Sequence, residues 1–224
     1  MNIKEDLEQY LLKTGAKYDS DEYFALIKNW AEKREFMILA PIMAKIAEYL
    51  PQTPLVIAID GRSCAGKSTL AAILSLIYPA RVVHMDDFFL PKALRTKERY
   101  GESGGNVHYE RFQEEVLPYL RRGEAFSYRK FNCRLMDYAG EVLIKKAPLI
   151  IVEGAYSLHP ALGEYYDWAV FLDIEPEAQL KRLIKRNTPE MVQNFQEKWI
   201  PLEEKYFTDL AIKQKCLFYF PAFE

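Results

Sequence analysis

LVIAIDGRSCAGKST, residues 55–69, begins as an apolar run rich in β-branched residues and ends in a glycine-framed loop. Its spacing matches the pattern G-x-x-x-x-G-K-[ST], which joins a buried strand to the start of a helix. Gly61 and Gly66 permit backbone geometry that a Cβ would oppose, so the backbone N–H groups of the loop can point inward and surround phosphate oxygens. The stretch therefore predicts a strand, a phosphate-binding loop and a helix, in that order.

Two side chains at the end of this loop predict its chemistry. Lys67 is a point charge suited to the β- and γ-phosphates of a nucleotide, and Ser68 supplies a hydroxyl ligand for Mg²⁺. The positive end of the following helix dipole adds to the attraction for phosphate. A glycine turn with a solvated lysine is the alternative, but the strand before the loop and the helical LAAILSLI after it favour the binding loop. The predicted nucleotide-binding residues are Gly61, Arg62, Ser63, Cys64, Ala65, Gly66, Lys67, Ser68 and Thr69.

Composition bounds the class of protein. The chain has 224 residues, half of them hydrophobic, which fits one α/β domain with a sizeable core and an appendage. A net charge of −2 argues against a nucleic-acid partner or a basic membrane anchor. The three cysteines are far apart, which is typical of a reducing compartment rather than of a disulfide or metal framework. The N-terminus is polar and no apolar stretch reaches the ~20 residues that span a bilayer, so we predict a cytoplasmic protein without a membrane partner.

Five apolar runs alternate with helical patterns along the chain. They cover residues 55–60, 82–85, 149–152, 169–174 and 216–220. Their hydrophobicity is continuous rather than alternating, which is typical of strands buried on both faces of a parallel sheet. Residues 125–144 add aromatic-rich extended pieces around a DYAG turn, which predict a β-hairpin. We therefore predict an α/β fold in which helices flank a five-stranded, mostly parallel sheet with a small hairpin insert.

The chain divides into an N-terminal helical segment, residues 1–50, and a nucleotide-binding domain, residues 51–224. In the first segment we expect helices at about 5–13, after the capping residues 19–21, and at 36–50. This segment carries no recognisable chemistry. It packs either on the flank of the core or on a partner chain, and the second placement leaves a homodimer open.

Three later segments have their own patterns. Residues 91–106 are charged and rich in glycine, and a loop of this length is typical of a lid or a binding loop. Helices are expected at 110–122 and 178–186. Beyond them, Phe195, Trp199, Leu202 and Tyr206 form one stripe of a long helix that Pro201 should kink.

Acidic residues follow two of the predicted strands, next to the strand that leads into the phosphate loop. Ligands of parallel sheets bind at the carboxyl ends of the strands. Asp86 is placed to act as a catalytic base or to hold Mg²⁺ through water, as phosphoryl transfer requires. For Asp87 a turn-capping role and a functional role are equally open. Glu153 ends an apolar strand, where a charge is costly without a metal or a donor, so we expect it near Mg²⁺.

Basic and aromatic side chains complete the predicted site. Arg182, Lys185 and Arg186 share one helix face, which is either solvated or part of a lid over phosphates at about 182–198. The insert at about 91–146 should supply the acceptor pocket, where aromatic rings can stack on a base and other side chains can be structural. The candidates in this insert are His108, Tyr109, Tyr128, Phe131, Arg134 and Tyr138.

Four motifs in order resemble one known family. They are DGRSCAGKS at 60–68, HMDDFF at 84–89, VEG at 152–154 and RLIKR at 182–186. Together they are similar to the uridine kinase / phosphoribulokinase family, which includes nicotinamide riboside kinases and pantothenate kinases. The resemblance runs from about residue 55 to 220. It implies a P-loop kinase fold that moves the γ-phosphate of ATP to a hydroxyl of a small molecule.

The resemblance also implies roles for single residues. Asp86 is the catalytic base, and Ser68 and Glu153 attend the metal. Arg182 and Arg186 lie in the lid, and Lys67 acts on the phosphates. The implied cofactors are ATP and Mg²⁺.

The acceptor half departs from the family. Uridine kinases usually have N-[FY]-D-H-P after the second strand, whereas residues 106–110 are NVHYE. They also have Y-D-[FY]-x-x-H-x-R on the hairpin, whereas residues 128–134 are YRKFNCR. HMDDFF looks closer to the nicotinamide riboside kinase version. We therefore expect a kinase acting on a nucleoside or a related molecule. The alternatives are a nicotinamide riboside or sugar kinase, and a nucleotide-binding regulator without transfer.

Overall fold

The computed structural model describes residues 34–49, 54–133 and 135–221. The two helices expected before residue 34, and Arg134, lie outside the described residues. The helices are α1 (Arg34–Tyr49), α2 (Lys67–Ile77), α3 (Lys97–Gly101), α4 (Tyr109–Glu115), α5 (Leu117–Leu120), α6 (Pro176–Arg186), α7 (Pro189–Asn194) and α8 (Ile200–Asp209). The strands are β1 (Leu55–Gly61), β2 (Ala80–His84), β3 (Phe126–Asn132), β4 (Asp137–Ile144), β5 (Leu149–Glu153), β6 (Trp168–Leu172) and β7 (Phe218–Phe220).

A five-stranded sheet with the order β2-β5-β1-β6-β7 forms the centre of the molecule. All four pairings are parallel, so the predicted α/β fold with a five-stranded sheet is confirmed and the sheet is wholly rather than mostly parallel. Every residue of β1, β5 and β6 is buried, as their continuous apolar runs predict. β3 and β4 pair antiparallel as a separate hairpin, which was also predicted.

The two faces of β1 build two cores, because successive side chains of a strand point to opposite sides. Leu55, Ile57 and Ile59 belong to a cluster that includes Ile42 and Ile46 of α1. Val56 and Ala58 belong to a second cluster with α4 and the hairpin. α1 therefore packs on the sheet of its own chain, which is the first of the two placements that the sequence left open. Among the described residues, no helix combines the length and the apolar character needed to cross a bilayer.

Prolines explain two differences from the predicted helices. The helix expected at 110–122 is divided into α4 and α5 at Val116, because Pro118 at the start of α5 has no N–H to donate to the preceding turn. The long helix that Pro201 was expected to kink is α7, a π-helical turn (Phe195–Trp199) and α8. The π turn ends just before Pro201, and its wider spacing accommodates the missing hydrogen bond.

The segment at 91–106 is more regular than a loop. It contains a short 3₁₀ helix (Lys92–Leu94) and α3. The N-terminus of α3 is capped by Thr96, whose hydroxyl oxygen accepts a hydrogen bond from the Arg99 N–H over 3.1 Å. The expected loop therefore contains local helical structure that its charge and glycine content concealed.

Gly61, the last residue of β1, is expected to tolerate no side chain. Its φ is +137°, and a Cβ would lie 2.0 Å from the Leu172 carbonyl oxygen on β6. We expect Gly61→Ala to lower the free energy of unfolding by about 2 kcal/mol or more, since such a conformation alone costs an alanine about 1–3 kcal/mol. The control is Gly140→Ala, which also has a positive φ but open space around its Cβ. Equal urea midpoints for the two variants would contradict the close approach at Gly61.

Candidate active site

The phosphate loop, residues 61–69, leaves β1 at the middle of the sheet. Gly66 has φ +102° and is the N-cap of α2, and no side chain caps that helix. The N–H groups in the first turn of a helix have no intrahelical acceptor, so those of α2 remain available to an anion. A Cβ at Gly66 would meet nothing within 4 Å, so the space beside the loop is open. These features fit a nucleotide phosphate.

The Lys67 side chain folds back over the loop. It is 9% exposed, and its Nζ donates to the carbonyl oxygens of Gly61 and Arg62, each over 2.8 Å. Within the described ranges, no ion pair holds this ammonium. Carbonyl dipoles rather than a carboxylate therefore position Lys67, and its charge is not neutralised by a direct partner.

Ser68, Glu153 and His84 form a hydrogen-bonded group at the start of α2. Ser68 Oγ donates to Glu153 Oε2 over 3.1 Å, and His84 Nδ1 lies 2.5 Å from Glu153 Oε1. The hydrogen bond to Glu153 raises the pKa of His84. A hydroxyl and a carboxylate are the hard oxygen ligands that Mg²⁺ takes, and this ion usually keeps several waters and binds substrate phosphates as well. Ser68 and Glu153 therefore fit a Mg²⁺ site.

Asp86 lies in a 3₁₀ turn (Met85–Phe88) that follows β2 directly. β2 lies beside β5 in the sheet, in a register that pairs His84 with Glu153. The Asp86 carboxylate is open to solvent, but the surrounding protein desolvates it and raises its pKa, and the charge of Glu153 raises that pKa further. Asp86 is thus an accessible acid close to the Ser68 and Glu153 pair.

Asp87 is held inside the protein, in contrast to its neighbour. It is 6% exposed, and its Oδ2 accepts a hydrogen bond from the Tyr128 hydroxyl over 3.1 Å. The guanidinium of Arg111, which is 1% exposed, donates to the Asp87 backbone carbonyl. The ring of Phe88 lies 4.2 Å beneath that guanidinium. These contacts fix the turn and direct the two adjacent carboxylates differently.

The predicted lid arginines lie beside the phosphate loop. Arg182 Nη1 donates to the Cys64 carbonyl oxygen over 2.9 Å. Burial raises the pKa of the Cys64 thiol, and the nearby charge of Arg186 opposes this shift. Both arginines, and Lys185 with them, are exposed. Arg182 is therefore both exposed to solvent and bonded to the phosphate loop, while its role in a lid stays a prediction.

Three of the acceptor-side candidates, His108, Phe131 and Tyr138, lie together, and they have partners within the protein. His108 Nδ1 is 2.6 Å from the Tyr138 hydroxyl. Phe131 is buried, with its ring edge-on to Phe89 at 6.3 Å between centroids. Trp199 also lies beside Phe89, at 6.2 Å between ring centroids. Of this group, Phe89 and Trp199 are half-buried and present aromatic surface beside the Asp86 turn.

Tyr109 lies apart from this group. Its ring stacks on His159 at 4.8 Å, and the Arg99 guanidinium lies 3.8 Å over it. Tyr109 is thereby placed in a separate ring stack that supports α4.

Asp173, Glu203 and Tyr206 were not predicted to belong to the site, but they contact the phosphate loop or Asp60 near the end of β1. Arg62 Nε donates to Asp173 Oδ1 over 2.6 Å, and Asp173 also accepts from Lys213 over 2.6 Å. Glu203 of α8 accepts from the Ser63 backbone N–H over 3.0 Å and from the Ser63 hydroxyl. Tyr206 was placed in an apolar stripe and was given no role at the site. One sequence signal could have identified Glu203. It lies on the same side of the helix as this apolar stripe, where an acid is unusual unless it has a partner.

Comparisons with known proteins identify relatives that are kinases. No protein-family model matches the chain. It is 24% identical over 171 residues to "Uridine kinase-like protein 5" of Arabidopsis thaliana, covering 73% of this chain and 37% of that protein. It is 29% identical over 147 residues to a pantothenate kinase of Lacticaseibacillus casei, covering 57% of this chain and 47% of that protein. The chain therefore spans less than half the length of either curated relative.

A solved structure described as a possible uridine kinase from Bacillus stearothermophilus has the same fold. Its TM-score is 0.57 at 19% identity, and the match covers 80% of this chain and 99% of that one. The resemblance drawn from the four sequence motifs is thus confirmed by both kinds of comparison. The chain is a relative of uridine kinase-like and pantothenate kinases and has the P-loop kinase fold.

Proposed function

We propose that the protein is an ATP-dependent kinase that transfers the γ-phosphoryl group to a hydroxyl of a small molecule. The observation that carries the proposal is the position of an accessible acid, Asp86, beside a phosphate loop whose Ser68 bonds to Glu153. A phosphate cradle, a pair of metal ligands and a candidate base are the parts that phosphoryl transfer needs. The kinase relatives support the same reaction class.

Different residues of this chain have different roles in the proposed reaction. Mg²⁺, when bound, neutralises charge on the phosphate oxygens. Ser68 and Glu153 would hold it, while the loop N–H groups and Lys67 bind and orient the phosphates. Asp86 accepts the proton of the attacking hydroxyl, and the protein around it raises its pKa toward the range in which a base works efficiently. Arg182 and Arg186 lie where a closing lid brings positive charge to the transferred group.

The acceptor we propose is a nucleoside or a related ring-bearing molecule. We further propose that residues 51–224 form the catalytic domain, with the acceptor insert at about 91–146 and the lid at about 182–198. The half-buried rings of Phe89 and Trp199 beside the Asp86 turn support stacking on a flat or cyclic group. Asp87 and Tyr128 bond to each other, so they support the shape of the pocket rather than offering free groups.

A second candidate is the same reaction on nicotinamide riboside, a sugar or another alcohol that is not a pyrimidine nucleoside. His108 stands where uridine kinases have an Asp, and it bonds to Tyr138. One of the groups with which uridine kinases would hold the nucleoside is therefore missing at that position. The names of the pantothenate kinase relatives agree with an acceptor outside the nucleosides.

A substrate panel tests the proposed function. Purified protein with ATP and Mg²⁺ is mixed with single nucleosides, nicotinamide riboside, sugars and pantothenate, and ADP release is measured. We expect acceptor-dependent ADP release with one chemical class. Tight ATP binding without release across the whole panel would instead indicate a nucleotide-binding regulator that performs no transfer.

A further inference from the structure

Glu203 is a buried carboxylate that contacts the phosphate loop from outside it. It is 5% exposed and belongs to α8, the helix that follows the lid. Its Oε2 accepts from the Ser63 N–H over 3.0 Å, and its Oε1 accepts from the Ser63 hydroxyl. Both carboxylate oxygens are therefore engaged by one loop residue. An acid next to a predicted triphosphate site opposes anion binding, so its presence there calls for a compensating role.

The helix that carries Glu203, together with the π turn before it, contacts both halves of the site along one face. Trp199, Glu203 and Tyr206 are spaced i, i+4 and i+7, which places them on the same side of a helix. Trp199 contacts Phe89 next to the Asp86 turn. The Tyr206 hydroxyl donates to Asp60 Oδ2 over 2.8 Å, at the end of β1. The π turn that ends at Trp199 and α8, which follows it directly, therefore join the start of the donor loop to the acceptor side.

The contacts of Glu203 offset part of the cost of burying its carboxyl group. Burial raises the pKa of Glu203, whereas the charge of Lys67 and the hydrogen bonds from Ser63 oppose this shift. Glu204, the next residue, forms an ion pair with Arg62, the loop residue before Ser63. Two successive acids of α8 thus bind two successive residues of the loop.

From these contacts we propose that Glu203 is a positioning residue: through Ser63 it holds the phosphate loop in its binding conformation and in fixed relation to the acceptor side. The inference rests on the proposed function, because it assigns to that site a residue outside the motifs. Glu203 touches neither phosphate nor acceptor. It acts on the reaction through the loop backbone.

Hydrogen exchange of the loop in the nucleotide-free protein is the first test. In Glu203→Ala we expect amide exchange in peptides covering 62–66 to rise about tenfold or more, as removal of a charged hydrogen-bond acceptor predicts. Exchange in β1 and β5 should stay at the wild-type level. Glu203→Gln keeps the shape of the side chain but offers one acceptor oxygen to two donors. The rate of loop exchange in this variant should therefore lie between the rates of the wild type and of Glu203→Ala. The control is Glu197→Ala, which removes an exposed acid of the π turn that accepts a hydrogen bond from Gln193.

Nucleotide affinity is the second test. The Kd for ATP·Mg²⁺ should rise about tenfold in Glu203→Ala. If Glu203 acts through Ser63, adding Ser63→Ala to Glu203→Ala should cost less than the sum of the two single changes.

Two results would overturn the proposal: wild-type loop exchange in both Glu203 variants, or a rise spread over the whole sheet. If Glu203→Ala does not fold, loop exchange at the wild-type rate in Glu203→Gln is sufficient to contradict the proposal. Failure of the wild-type protein to bind ATP·Mg²⁺ would refute the proposed function instead, and loop exchange would still decide whether Glu203 positions the loop.

Discussion

Asp86→Asn is expected to lower kcat by about 10²–10⁴-fold, the range that a positioned general base contributes. Asn has the size of Asp but cannot accept the hydroxyl proton, so binding and catalysis should separate. The Kd for ATP·Mg²⁺ should stay near the wild-type value, because the loop contacts of the phosphates remain intact. The measurements are steady-state kinetics with the acceptor found in the panel and calorimetry with ATP·Mg²⁺.

Asp209→Asn is the matched control for Asp86→Asn. Asp209 ends α8 and forms a surface ion pair with Lys205, and exposed pairs of this kind contribute little to stability. This variant should turn over like the wild type. Full activity in Asp86→Asn would remove Asp86 from the role of base. Loss of ATP binding in the same variant would assign it to the metal instead.

Lys67→Ala is expected to lower kcat/KM for ATP by about 10²–10³-fold, the effect of removing one preorganised group that stabilises transition-state charge. In contrast to Asp86→Asn, the Kd for ATP should also rise, because the ammonium binds phosphate in the ground state. A thermal melt must accompany the assay, since Lys67 also bonds to the carbonyls of Gly61 and Arg62.

Lys146→Ala supplies the control for Lys67→Ala. Lys146 is an exposed lysine in the connection between β4 and β5, away from the phosphate loop along the chain. Normal ATP use in Lys67→Ala, with Lys146→Ala as the reference, would contradict the assignment of the phosphate loop.

The central sheet could be predicted because its inner strands are buried on both faces and therefore have continuous apolar sequences. The predicted strand bounds were less accurate at the two edges of the sheet. β2 begins at Ala80 rather than at residue 82, and its Arg81 is exposed because an edge strand has one accessible side. β7 is likewise an edge strand and is shorter than the apolar run that predicted it.

The strand, loop and helix that would form the donor half were predictable because their signal lies in local spacing, from the glycines of the loop to Ser68. Hydrogen-bond partners that are far apart in the chain and meet only in the folded protein were not predictable. Glu203 and Ser63 are 140 residues apart in the chain, and nothing in the sequence around either residue points to the other. Arg111 was not singled out within the helix expected at 110–122, but it is buried against Phe88 and the Asp87 carbonyl. A buried charge can be identified only when its distant partners are known.

The most direct test of the account is to follow the γ-phosphoryl group itself. ATP labelled in that group is incubated with Mg²⁺, the protein and the acceptor from the panel, and the products are separated and identified by mass spectrometry. We expect label on a hydroxyl of the acceptor with the wild-type protein, and little or none with Asp86→Asn. Label that appears only as inorganic phosphate, or that stays in ATP with every acceptor while ATP·Mg²⁺ is bound, would contradict it.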